Sequence, residues 1–118
     1  RDTDRSRGLG DVYKRQGLFD WFARRPSLAE GLETWKSTPG AVLLDVRTPE
    51  EYRAGHIPGA QNLPLNRLSA AAVPAGVPLF VYCHSGARSA QARRILEGAG
   101  RTVTDLGGLM GYRGPLES

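Results

Sequence analysis

Cysteine is almost absent from this chain: Cys83 is its only one in 118 residues, beside a single methionine. A lone cysteine excludes an intramolecular disulfide, and a thiolate-based metal centre would need further ligands that the sequence does not cluster. The thiol also has no resolving partner in the chain, so any covalent adduct it carries has to be cleared by an outside molecule or a second copy. No apolar run approaches the about 20 residues that cross a bilayer. There is no signal-peptide pattern either, so a cytoplasmic protein is expected and a membrane partner is not. Basic charge is thin where it would matter. Half of the formal net charge of +4 comes from residues 1–16, and no basic stripe with interleaved aromatics marks a nucleic-acid surface.

What is present is ordinary for a folded domain. Hydrophobic residues make up 40% and charged residues 24%, which at this length supports one domain with one core. Residues 1–16 differ from the rest in having few apolar residues, dense charge and no usable period, and read as a non-native leader outside the fold. Residues 17–26 bring Leu18, Phe19, Trp21 and Phe22 together in a short amphipathic segment that Pro26 stops. Its aromatics fit packing on the domain's own surface, or a docking foot. Residues 27–118 carry the domain.

Strand and helix patterns then alternate. Ser27 can cap a helix from Leu28 to Ser37, with Glu30 completing a capping box and Leu28, Leu32 and Trp35 on one face. Ala41 to Val46 is a nearly continuous apolar run, as in a parallel strand buried on both faces, interrupted near its carboxyl end by Asp45. Thr48-Pro49-Glu50-Glu51 starts a brief helix that ends at Gly55. His56 to Pro64 crosses back as a turn and a short extended piece. Pro78 to Tyr82 is a strand, a helix runs from Ser89 to about Gly100 with Ala92, Ile95, Leu96 and Ala99 on its packed face, and Thr102 to Leu106 is a last strand. The economical architecture is α/β: a small, mostly parallel sheet with helices on both faces.

The chemistry concentrates in Cys83-His84-Ser85-Gly86-Ala87-Arg88-Ser89. A strand that delivers a cysteine into a short small-residue loop feeding a helix N-terminus makes a pocket of backbone N–H groups that favours anions. Cys83 is expected at its mouth. In such a field, beside an arginine, thiols fall from a free pKa of about 8.5 to about 3.5–7.5. Asp45 and His56 read as structural residues, the first fixing loop amides or an arginine, the second hydrogen-bonded in place. Arg47 is expected to pair with Glu50 or Glu51. His84 is expected to contribute its backbone N–H rather than its ring.

These residues resemble a known family. Leu44-Asp45-Val46-Arg47-Thr48-Pro49-Glu50-Glu51-Tyr52, then Gly55-His56-Ile57-Pro58-Gly59-Ala60 and Asn62-Leu63-Pro64, are similar to the signature segments of single-domain rhodanese sulfurtransferases, and the Cys83 loop sits where their active-site loop belongs. Leu106-Gly107-Gly108 resembles the family's closing motif, although the tryptophan usual shortly after it is absent and Tyr112 is in its neighbourhood. The resemblance implies a five-stranded rhodanese-like sheet and a Cys83 persulfide as the sulfur carrier. His84, Ser85, Gly86, Ala87, Arg88 and Ser89 would form the substrate-binding loop, with Asp45, Arg47 and His56 structural near the site. It implies a small anionic sulfur donor such as thiosulfate, an acceptor that is cyanide, a thiol or a protein, no cofactor and no metal. A monomer or weak homodimer is expected.

Two other functions compete. One is a persulfide-carrying or regulatory module with little turnover on thiosulfate, for which Leu18 to Phe22 would be the docking surface. The other is a cysteine phosphatase or arsenate reductase, whose loops place five residues between cysteine and arginine. Here only His84, Ser85, Gly86 and Ala87 lie between Cys83 and Arg88, a ring tighter than a tetrahedral oxyanion needs.

Overall fold

A computed structural model describes residues 27–118; residues 1–16 and the aromatic segment at 17–26 lie outside the described residues. The elements are α1 (Leu28–Lys36), β1 (Val42–Asp45), α2 (Pro49–Ala54), β2 (Gln61–Asn62), β3 (Leu79–Cys83), α3 (Ala87–Gly98) and β4 (Val103–Gly108), with two 3₁₀ turns, Leu65–Arg67 and Ala70–Ala72, between β2 and β3. Among the described residues the sheet has four parallel strands in the order β2-β1-β3-β4, rather than five. No strand forms between β2 and β3, where alanines carry 3₁₀ turns and Pro74 and Gly76 break the chain. The C-terminal tail contributes only a single antiparallel bridge, His56 to Glu117.

The helix starts follow from their caps. Ser27 and Thr48 each close a capping box, with Glu30 and Glu51 respectively, and Pro49 opens α2. α3 begins two residues earlier than its apolar spacing suggests, at Ala87. Gly86, at φ 100°, turns the chain into it in the left-handed region that glycine adopts without strain. Its packed side is also narrower than expected: Ser89, Ala92 and Leu96 are buried, while Ile95 is 45% exposed and Ala99 is exposed. Small residues at Ser89 and Ala92 let the helix lie close to the sheet beside the cysteine.

Side chains alternate across the strands, and the two faces of the sheet hold different contents. On one face Leu44, Val46, Leu79, Val81 and Cys83 pack with Ala92 and Leu96 of α3. On the other, Leu43, Phe80 and Tyr82 pack with Leu28 and Leu32 of α1, and with Ile57. Cys83, the last residue of β3, therefore faces α3, while Tyr82 beside it in the chain faces α1.

Candidate functional site

The loop at the end of β3 is organised around a buried sulfur. Cys83 has no exposed surface, so the thiol lies on the floor of the loop and not at its mouth. The Gly86 N–H donates to Sγ at 2.9 Å and the Ser89 N–H at 3.4 Å, with the Ser89 hydroxyl oxygen 3.7 Å away. Donors aimed at sulfur complement negative charge on it. The Ser89 hydroxyl itself donates to the Gly86 carbonyl at 3.0 Å and lies 3.4 Å from that of Gly107, which ties the start of α3 to the end of β4. His84, Ser85 and Ala87 are exposed. His84 meets the rest of the domain through its backbone: its carbonyl accepts from the Met110 N–H at 3.0 Å, next to the Cys83 carbonyl, which accepts from Leu109 at 2.9 Å.

The brace formed by residues 108–110 was not legible as such. Gly108 runs so close under the loop that a Cβ there would overlap the His84 carbonyl. The double glycine was visible in sequence; its partner across the loop was not.

The two arginines near the site have different partners from those expected. Arg47 pairs with Asp45 and not with Glu50 or Glu51. Its Nε lies 2.9 and 3.0 Å from the two Asp45 oxygens, its Nη2 lies 2.6 Å from Oδ2, and its own N–H also donates to Asp45 at 2.9 Å. Two residues apart at a strand end, the two fold onto each other, whereas Glu50 pairs with Arg53 and Glu51 with Arg88. Tyr82 donates to the same carboxylate at 2.8 Å and accepts from the Ile57 N–H. Burial, with Asp45 beside it, raises the Tyr82 phenol above its usual range. Asn62 bridges the Asp45 and Arg47 carbonyls at 3.0 Å each. Asp45, Arg47 and Tyr82 thus form a closed network on the α1 side, across the sheet from the sulfur. His56 lies between Gly55 and Ile57, whose backbones meet that network; its own ring stacks on Tyr52 at 3.7 Å and its Nδ1 lies 2.8 Å from the Tyr52 carbonyl.

Arg88 does sit at the loop's end, but its fork is engaged. Nη1 and Nη2 donate to Oε1 and Oε2 of Glu51 at 2.7 and 3.0 Å, across 37 residues of sequence. Thr48 donates to Oε1 through both its N–H and its hydroxyl. Arg88, helped by these bonds from Thr48, holds the Glu51 carboxyl down at about 2. A cleft of about 270 Å³ opens here, walled by Val46, Arg47, Thr48, Pro64, Leu65, Asn66 and Arg88. Glu51 is the participant that sequence reasoning missed. Its spacing from Thr48 showed the cap, and nothing in one sequence shows a contact between distant helices. No cluster of metal-ligating side chains exists among the described residues, and no described helix is long and apolar enough to cross a membrane.

A parallel sheet that delivers a cysteine into an amide-lined loop at a helix start defines a class, and comparison with known proteins agrees. Residues 27–114 match the rhodanese-like domain, and the chain belongs to that family. It is 44% identical over 71 residues to the thiosulfate sulfurtransferase PspE of Escherichia coli K12, a match that takes in 56% of this chain and 68% of that protein. It is 37% identical over 79 residues to a sulfurtransferase of Allochromatium vinosum, covering 64% of this chain and 74% of the other. A solved structure described as a rhodanese with anions from E. coli superposes with a TM-score of 0.59 at 37% identity, over 66% of this chain and 99% of that one.

Proposed function

We propose that this protein is a sulfurtransferase that carries a sulfane sulfur on Cys83. The observation that carries the reading is the set of donors converging on one buried sulfur: the N–H groups of Gly86 and Ser89, at the start of a helix that also supplies Arg88. Membership in the rhodanese-like family and the sulfurtransferases among its relatives support it. The Cys83 thiolate attacks the outer sulfur of thiosulfate or a related donor. A sulfur–sulfur bond forms to Cys83, the bond to the sulfonate sulfur breaks, and sulfite leaves with the electron pair. Cyanide, a thiol or a protein acceptor then attacks the outer persulfide sulfur and regenerates the thiolate. The loop amides stabilise the charge that moves on and off sulfur. Because Cys83 has no exposed surface, loading requires the His84-Ser85-Gly86 segment to give way.

The test is the intact mass before and after brief incubation with thiosulfate, with Cys83→Ser alongside. The parent is expected to gain one sulfur atom and lose it to cyanide, while the serine variant gains none. Sulfur loading by the serine variant sinks the mechanism. A parent that alkylates at Cys83 but never loads from thiosulfate would favour the carrier module instead.

A further inference from the structure

We infer that Glu51 is a donor-selecting residue: by occupying the Arg88 fork it keeps the cleft beside the Cys83 loop electrically neutral and disfavours dianionic donors relative to donors of lower charge. The inference rests on the sulfurtransferase reading above and adds a residue to it that sits on another helix.

The geometry carries it in three steps. First, a planar guanidinium recognises an anion through two parallel N–H groups, and in Arg88 both nitrogens are already committed to the two oxygens of Glu51, at 2.7 and 3.0 Å. A thiosulfate that enters the cleft meets a neutral pair, and has either to displace the carboxylate or to bind beside it. Second, Glu51 is not free to swing aside. Thr48 donates to Oε1 through its N–H at 3.0 Å and its hydroxyl at 3.1 Å, while the Glu51 N–H donates back to the Thr48 hydroxyl at 3.2 Å. The carboxylate is anchored in the first turn of α2 before Arg88 reaches it. Third, Arg88 belongs both to the wall of the cleft and to the end of the Cys83 loop. Arg88 walls the 270 Å³ cleft together with Arg47 and Thr48, and stands one residue before Ser89, whose N–H donates to the Cys83 sulfur. Each partner keeps about a third of its side chain exposed, 34% for Arg88 and 35% for Glu51, so an incoming anion can reach both.

Glutamine is the informative replacement. Glu51→Gln preserves the capping box, which either residue can close, removes the charge, and replaces the oxygen that met Arg88 Nη2 with an NH2 donor, so the fork is released. Interaction energy scales with ligand charge, so the released arginine is expected to favour a dianion by about tenfold and a monoanion by about threefold. Methanethiosulfonate carries the same sulfane sulfur with one charge and is the matched probe for thiosulfate.

Two measurements separate this inference from the reading beneath it. The first is thiosulfate binding by calorimetry in a Cys83→Ser background, where no transfer can occur: Glu51→Gln is expected to tighten it about tenfold, and Arg88→Ala to weaken it. The second is kcat/KM with each donor in the Cys83 protein. Glu51→Gln should raise the thiosulfate value more than the methanethiosulfonate value, mainly through KM, whereas Glu51→Asp, which keeps the charge, should retain the parental ratio of the two donors. If Glu51→Gln binds thiosulfate no more tightly than the parent, or loses affinity because Arg88 is no longer oriented, the inference is overturned, whatever Cys83 does. If binding tightens while neither donor loads sulfur, Glu51 selects anions as inferred and the sulfurtransferase reading is what fails.

Discussion

Two arginine–carboxylate forks lie within one small domain, and their settings are opposite. Arg47 and Asp45 are sealed on the α1 side of the sheet, with side-chain exposures of 7% and 0%, and the pair is bonded further by the Tyr82 hydroxyl, the Arg47 N–H and the Gly55 carbonyl. Arg88 and Glu51 stand about a third exposed at the rim of the sulfur loop. The first pair cannot exchange partners without breaking the core; in the second, Arg88 can, while Thr48 holds Glu51 in place. The same chemical motif is thus a fastener in one place and, at the rim, an adjustable charge. Burial rather than residue type decides between the two roles.

The sharpest way to break this comparison is to remove one partner from each fork and measure unfolding in urea. Asp45→Ala leaves a buried guanidinium without its carboxylate and takes a hydrogen-bond acceptor from Tyr82, and is expected to cost about 3–5 kcal/mol. Arg88→Ala leaves a carboxylate that water can solvate, and is expected to cost about 0–1 kcal/mol. Equal costs would mean that the rim fork is as much a part of the fold as the buried one.

Next in size is a change to the support of the sulfur loop. Gly108→Ala puts a methyl group into the His84 carbonyl, which is backbone and cannot rotate away, so the loop has to lift. Such local overpacking costs about 1–3 kcal/mol, and its larger effect is on sulfur: the Gly86 and Ser89 N–H groups lose their aim. The expected outcome is a folded domain whose Cys83 alkylates faster and loads sulfur more slowly than the parent. An unchanged loading rate would show that the brace does not set the loop's geometry.

Those contrasts also mark what the sequence could reveal. Caps, turns and the parallel order followed from local chemistry: Ser27 with Glu30, Thr48 with Glu51, and the apolar runs of β1 and β3 are contacts within a few residues. The cysteine loop was legible because strand, glycine and helix start are contiguous. Contacts set by the sheet's stacking were not. Arg47 is a local case that spacing alone does not decide: Asp45 before it and Glu50 and Glu51 after it are all within reach in sequence, and the strand end selects Asp45. Arg88 is expected in the substrate-binding loop, and its pairing with Glu51 is not visible in sequence because the two lie 37 residues apart. The burial of Cys83 depends on Gly108, whose position under the loop comes from the pairing of β3 with β4 and its irregular register near Cys83. The fifth strand came from the family resemblance alone, and among the described residues the pattern of β-type runs supports four.

The smallest effect is the most specific to the rim fork. The Glu51 carboxyl is held at about 2, against an ordinary 4.5, first of all by the Arg88 hydrogen bonds. A carboxyl whose pKa is lower folded than unfolded stabilises the fold above its unfolded pKa, and that stabilisation is lost as pH falls through the folded value. The contribution of Glu51 is therefore complete above about pH 4.5 and fades toward about pH 2. Because the pair is a third exposed, salt and solvent screen it, and the measurable quantity is a difference between two proteins rather than the melting point of one. Parent and Glu51→Gln are expected to differ in thermal stability at pH 6 and to converge as the pH is lowered to 2, with added salt narrowing the gap at pH 6. A gap that persists unchanged to pH 2 would place the value of Glu51 in contacts that glutamine does not make and that do not depend on charge. Convergence would show that the charge which steadies α2 against α3 is the same one that occupies Arg88, so the residue that strengthens the fold is the one that limits what the loop admits.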